Sequence, residues 1–344
     1  MVMPSMRAVQ VSAPGADFEL INKAIPAPND NEVRIKVQAC GICHGDAVVK
    51  EGHFPGIKYP RVPGHEVVGT IDKLGPGVSA WTIGQRVGVG WHGGPCLKCE
   101  ACRKGEPGNC ASFLTTGISF DGGYAEYMVA PQQAMTIIPD ELDSLEAAPL
   151  LCAGRTTFTA LRNSGARGGD LVAIQGIGGL GHMGIQFARK LGFKTVALSR
   201  GKDKEELAYK LGAHVYIDSE ALNPADELKK LGGARVILAT APNSKALSQL
   251  INGLGFDGQL IVVAAPGEPM QFSPMQLLGG RTSIRGWVGS PAREKPEEAL
   301  NFSVISGAMP MIEVFPLEQA ALAYDKMMTS KVRFRAVLKM DTTH

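Results

Sequence analysis

The sequence predicts an α/β protein in two parts: a mainly β part, residues 1–152 with 293–344, and a doubly wound parallel sheet, residues 153–292. Three observations carry that expectation. Residues 7–140 fall into short β runs broken by Gly and Pro; after residue 150 apolar strands alternate with helical patterns; and a glycine-rich turn follows the first of those strands.

In the first part, 32–38 sets Val33, Ile35 and Val37 against charged or polar neighbours, the period of two that marks a half-buried strand. Residues 66–73 read as another strand. Short runs with turn residues between them suit a loop-rich, mainly antiparallel arrangement. In the second part, strands are expected at 171–175, 195–199, 215–217, 235–239, 260–263 and 283–287, with helices at 180–191, 204–211, 225–231 and 244–253. Six strands with intervening helices suit a doubly wound sheet. The tail carries a helical piece at 316–329 and a strand-like 334–340. It is expected to return to the β part, which makes the parallel sheet an insertion.

Hydrophobic residues make up 44% of the chain and charged residues 20%, enough apolar material for a core. The formal net charge of +2 gives neither nucleic acid nor an anionic membrane a reason to bind. The first ten residues lack the apolar run of a secretory signal, and no stretch of about 18 apolar residues occurs anywhere. A cytoplasmic protein is expected.

Seven cysteines in such a chain are not expected to form disulfides. Four are crowded as Cys96-x2-Cys99-x2-Cys102-x7-Cys110. Zinc takes four soft ligands in a tetrahedron, and Cys-x2-Cys turns bring two thiolates to one ion without strain. Free cysteines prefer apolar burial, yet this loop carries Lys98, Glu100, Arg103, Lys104 and Glu106. A structural zinc is expected, closed by four thiolates with no place for a substrate. Cys43, His65 and Cys152 offer a second donor set, two thiolates and an imidazole with a fourth position open. Spacing alone supports it weakly: a lone His is usually structural, and a lone Cys is more often core than ligand.

The strand at 171–175 runs into Gly176-Ile177-Gly178-Gly179-Leu180-Gly181 and then a helix. By itself G-x-G-x-x-G is a weak motif; after a strand and before a helix it is the signature of a dinucleotide-binding Rossmann domain. Gly176 allows the turn, Gly178 the approach of the pyrophosphate, and Gly181 the packing of helix on strand. Sites for NAD usually carry Asp or Glu at the end of the second strand. Here Ser199-Arg200-Gly201-Lys202 stands there, with Lys204 farther on. These groups suit a 2′-phosphate, so NADP(H) is expected over NAD(H). A solvated surface turn is the plainer alternative.

Taken in order, Cys40-Gly-Ile-Cys43-His44, Pro63-Gly-His65-Glu66, the four-cysteine loop, Cys152-Ala-Gly-Arg-Thr156 and the glycine loop resemble the zinc-containing medium-chain alcohol dehydrogenases. The likeness includes the yeast-like and cinnamyl-type branches and spans essentially the whole chain. It implies a GroES-like catalytic domain beside the Rossmann domain, two zinc ions per subunit, and an alcohol or aldehyde as the small-molecule substrate. It also implies a homodimer or homotetramer. Carried over by position, Cys43, His65 and Cys152 bind the catalytic zinc, Glu66 lies behind it as an occasional ligand, and Asp46 orients His65. His44 and Arg335 would contact the pyrophosphate and Thr156 the nicotinamide, while Trp91 and Trp287 would border the substrate pocket.

One departure bears on function. Relatives usually carry a proton-relaying hydroxyl two residues after the zinc cysteine, and often a His three beyond that; here those positions are Gly45 and Val48. Neither side chain moves a proton. The leading expectation is a zinc-dependent alcohol dehydrogenase or aldehyde reductase. A reductase of iminium or conjugated C=C bonds is the enzymatic alternative, and a non-catalytic zinc and nucleotide sensor a third reading.

Overall fold

Strand Glu32–Gly41 is the spine of the β part, with Val33, Ile35, Val37 and Ala39 buried in the alternation their spacing predicts. It pairs antiparallel with Val67–Leu74, Tyr127–Pro131 and Arg335–Lys339. The computed structural model describes residues 4–264, 267–288 and 297–341. In it the seven-stranded sheet runs Ile312–Pro316, Arg335–Lys339, Glu32–Gly41, Val67–Leu74, Arg86–Val89, Met135–Ile137, with Tyr127–Pro131 attached to Glu32–Gly41. Only Ile312–Pro316 and Arg335–Lys339 run parallel in it. Ile35, Ile71, Val87, Met128 and Leu338 fill the core between this sheet and its neighbours. The tail returns as expected, since Val337 and Leu338 face Gly41 and Cys40.

The chain divides into two units. One holds the described residues of 1–152, 291–305 and 310–344; the other holds those of 153–290 and 306–309. The boundary expected at 292 lies outside the described residues. Residues 306–309, expected with the β part, group with the sheet instead. Gln186 grips this stretch, donating to the Met309 carbonyl at 2.9 Å and accepting from its N–H at 3.2 Å.

In the second unit six parallel strands lie in the order Val215–Asp218, Lys194–Ser199, Leu171–Gln175, Ala234–Ala239, Leu254–Val262, Ser283–Gly286. The strand order reverses beside Leu171–Gln175, where such sheets bind ligands. Leu254–Val262 begins earlier than its apolar residues predict. Gly255, Asp257 and Gly258 read as a turn, but the backbone absorbs them through a register shift against Ala234 and Val236. Helix Arg155–Arg162 escapes a reading from apolar residues because polar Arg155, Thr157 and Thr159 are buried beside Phe158, Ala160 and Leu161. Among the described residues no helix is long and apolar enough to cross a membrane.

Candidate functional site

Strand Glu32–Gly41 ends just before Cys43, whose extended backbone caps the turn His44–Asp46. That turn folds Asp46 back so that its Oδ2 accepts the Cys43 N–H at 2.9 Å. Oδ1 of the same carboxylate meets His65 Nδ1 at 2.9 Å. Asp46, His65 and Glu66 are all buried. One ligand atom from each of Cys43, His65, Glu66 and Cys152 lies within 4.8 Å of the others. The two sulfurs are 3.8 Å apart.

Chemically this cluster is unfinished without a cation. His65 Nε2 and Glu66 Oε2 are buried and have no hydrogen-bond partner, a costly state for polar atoms. The hydrogen bond from Cys152 holds the Cys43 thiol well below its ordinary range, against the effect of burial, and His65 adds to the lowering. Burial pushes the Glu66 carboxyl up to about 7, with Arg335 pulling the other way. Two sulfurs and an imidazole whose Nδ1 is already bonded fit a tetrahedral zinc with one open corner. Arg335, expected at the pyrophosphate, pairs with Glu66 Oε1 and donates to the Ile42 carbonyl at 3.0 Å. A buried carboxylate needs such a counter-charge. His44 is exposed at the start of the turn.

Trp91 stands edge-on to His65, ring centroids 4.8 Å apart at 88°. A Cβ on Gly45 would fall 2.7 Å from His65 Cε1 and 2.9 Å from Trp91 Cζ3. The missing hydroxyl therefore has no vacant place: the imidazole and the indole fill it. The sequence identified Gly45 and Trp91 separately, and only the structure joins them. Tyr124 was not anticipated at all. Its hydroxyl donates to Asp46 Oδ2 at 2.9 Å, and no spacing rule connects residues so far apart.

Cys96, Cys99, Cys102 and Cys110 converge as expected, also within 4.8 Å. The short strands His92–Gly94 and Leu114–Thr115 pair at the base of their loop. Backbone N–H groups of Cys99 and Cys96 point at Cys96 Sγ and Cys110 Sγ, at 3.4 and 3.2 Å. Donation from the Cys102 and Ala111 backbone holds the Cys99 thiol down to about 6. Thiolates held by backbone N–H groups are ready zinc ligands.

In the second unit the glycine loop turns directly from strand Leu171–Gln175 into helix Gly181–Lys190. Gly176 has φ of 91°. A Cβ on Gly181 would lie 1.9 Å from the Gly176 carbonyl oxygen, whereas one on Gly178 would meet nothing within 4 Å. Gly178, Gly179 and Leu180 thus keep an accessible face toward a ligand. Ser199 ends its strand, Arg200 and Lys202 are exposed, and Lys204 Nζ donates to the Ile177 carbonyl at 3.0 Å. Lys204 is thereby brought against the loop itself. Thr156 is half-buried in the first turn of Arg155–Arg162. Trp287 donates from its indole to Thr159 Oγ1 at 2.8 Å, with the Arg285 guanidinium 4.6 Å from its ring centroid.

Residues 29–140 match the alcohol dehydrogenase GroES-like domain family and 179–304 the zinc-binding dehydrogenase family. An alcohol dehydrogenase of Penicillium expansum, patD, is 42% identical, covering 95% of both chains. One from Geobacillus stearothermophilus is 36% identical over 97% of this chain and 99% of its own. Among solved structures, a cinnamyl alcohol dehydrogenase of Sorghum bicolor superposes with a TM-score of 0.87 at 29% identity, covering 98% of each chain. Identity at this level across nearly the full length, with both domain families matched in order, makes this chain a member of the zinc-type medium-chain alcohol dehydrogenases, oxidoreductases acting on alcohols.

Proposed function

We propose that this dehydrogenase interconverts an alcohol and an aldehyde with NADP(H), holding a catalytic zinc through Cys43, His65 and Cys152 and a structural zinc through the four-cysteine loop. One observation carries the reading: two sulfurs, an unpartnered buried imidazole nitrogen and an unpartnered carboxylate oxygen meet at one point. When bound, the zinc supplies a Lewis acid for the substrate oxygen, and the nicotinamide supplies or takes the hydride. The rest is done by the chain. Asp46 keeps the His65 Nδ1 proton engaged and so leaves Nε2 for the metal. Glu66 stays behind the ligands, its charge balanced by Arg335. The N-terminus of Gly181–Lys190 offers backbone N–H groups to the pyrophosphate.

Three features support NADP(H). No carboxylate ends strand Lys194–Ser199, Arg200 is exposed beside it, and Lys204 reaches the glycine loop. The test is to mix purified protein with NADPH and a panel of aromatic and aliphatic aldehydes and follow cofactor oxidation, alongside the Arg200→Asp variant. Turnover is expected with aldehydes, and the variant should lower the NADPH-to-NADH preference by about 10- to 100-fold, the worth of a charge-assisted contact of about 1.5–3 kcal/mol. An unchanged ratio would remove Arg200 from the site.

Because Gly45 and Val48 cannot relay a proton, water does so in this reading. A serine at position 45 is expected to harm rather than help. Its Cβ would overlap an imidazole pinned by Asp46, a strain of about 1–3 kcal/mol, so Gly45→Ser should lose on the order of tenfold in kcat/KM. A gain in rate would show that the site has room for a relay. The filled position 45 also favours a second reading, reduction of iminium or conjugated C=C bonds; turnover of such substrates in the same panel, with none of the aldehydes, would establish it.

A further inference from the structure

Segment 122–124 is laced along 62–64 by backbone hydrogen bonds. Gly122 N–H donates to Val62 O at 2.8 Å, Tyr124 N–H to Pro63 O at 3.0 Å, and Gly123 N–H to Gly64 O at 3.0 Å. This lacing lays the fully buried Tyr124 ring under the turn that delivers His65. Gly64 has φ of +103°, and a Cβ there would be 2.5 Å from the ring. The hydroxyl then reaches Asp46 Oδ2 at 2.9 Å, the oxygen that also accepts the Cys43 N–H. Asp46 Oδ1 is left to His65 Nδ1.

We infer that Tyr124 is a positioning residue for the catalytic metal: its hydroxyl locks the Asp46 carboxylate, and the carboxylate in turn aims His65 Nε2 at the ion. The inference rests on the metal assignment proposed above. All three side chains are buried, so water does not replace a lost partner cheaply, and a hydrogen bond to an ionised acceptor is stronger than a neutral one. Two donors on Oδ2 stop the carboxylate from rotating. With the tyrosine removed, the Cys43 N–H alone holds Oδ2, so the carboxylate turns more easily about its bond to His65 and the imidazole gains freedom to swing from the ligand position. The ring's packing under Gly64 is a separate matter, and phenylalanine keeps it.

The experiment compares full-length wild type, Tyr124→Phe, Asp46→Asn and the double variant. Zinc content is measured by metal analysis and zinc affinity by chelator competition, with the cobalt(II)-substituted proteins reporting the ligand field in the visible spectrum. Wild type should hold two zinc ions of separable affinity. Tyr124→Phe should weaken the Cys43–His65–Cys152 ion by about 10- to 100-fold, as loss of a group behind a ligand commonly does, alter the cobalt spectrum, and leave the four-cysteine ion untouched. In the Asp46→Asn background the same substitution should add less than about twofold, because the hydroxyl acts through that carboxylate. A Tyr124→Phe protein that binds both ions as tightly as wild type overturns the role of the tyrosine and leaves the metal assignment standing. So does an equal loss in the Asp46→Asn background. A wild type that holds only the four-cysteine ion overturns the metal assignment, and the tyrosine's role with it.

Discussion

Replacing His65 by alanine is expected to reduce turnover by about 1,000-fold and to lower the zinc content from two ions per chain to one. The imidazole is the only nitrogen ligand of its cluster, it is buried, and its Nε2 has no other partner. Without it, two thiolates and a carboxylate held by Arg335 remain, with a gap where the directed lone pair was. Lewis-acid stabilisation of several kcal/mol disappears with the ion, and about 4 kcal/mol corresponds to that factor in rate. Cys43→Ala should behave alike. Metal analysis and aldehyde reduction on the same preparation decide the matter: a double variant at Cys43 and His65 with full turnover would refute the proposed site.

The second large effect is expected at the cofactor loop, where Gly181→Ala should weaken NADPH binding by about 10- to 100-fold. The added methyl would sit 1.9 Å from the Gly176 carbonyl oxygen and 2.9 Å from Thr240 Oγ1. The first of these is backbone, so the turn itself has to open. Overpacking of this kind costs about 1–3 kcal/mol, and a displaced turn no longer aims its N–H groups at the pyrophosphate. Titration of cofactor fluorescence measures the change. Gly178→Ala provides the contrast, since its methyl meets no protein atom within 4 Å. It should leave the fold intact while obstructing the ligand. Equal NADPH affinity in Gly181→Ala and wild type would show that the loop is not the pyrophosphate site.

What could be read from the residues alone was whatever chemistry lies close together along the chain. Cys96, Cys99, Cys102 and Cys110 carry their metal geometry in their spacing, and the structure brings them together. Alternating Val33, Ile35 and Val37 specify a strand, and the glycine loop announces a turn between strand and helix. Each signal depends on backbone geometry over a few residues, which neighbouring side chains determine. The bulged start of Leu254–Val262 and the largely buried helix Arg155–Arg162 escaped because Gly255, Asp257 and Gly258 in the one, and the buried Arg155, Thr157 and Thr159 in the other, are not the apolar residues from which a strand or a buried helix face is read.

Convergence at the metal cluster is of another kind. Cys43, His65 and Cys152 were selected by likeness to a family, since nothing in their spacing forces them together. What unites the first two is tertiary: strand Glu32–Gly41 pairing with Val67–Leu74 sets Cys43 and His65 side by side. The same holds for the Trp91 indole filling the place of a side chain at Gly45, for Arg335 turning to Glu66, and for Tyr124 reaching Asp46. A sheet's register converts distant positions into neighbours, and a one-residue slip would scatter them. The residue types thus determined which metals and cofactors this protein can hold, while only the folded pairing of strands decided which side chains support the ligands and which close the space around them.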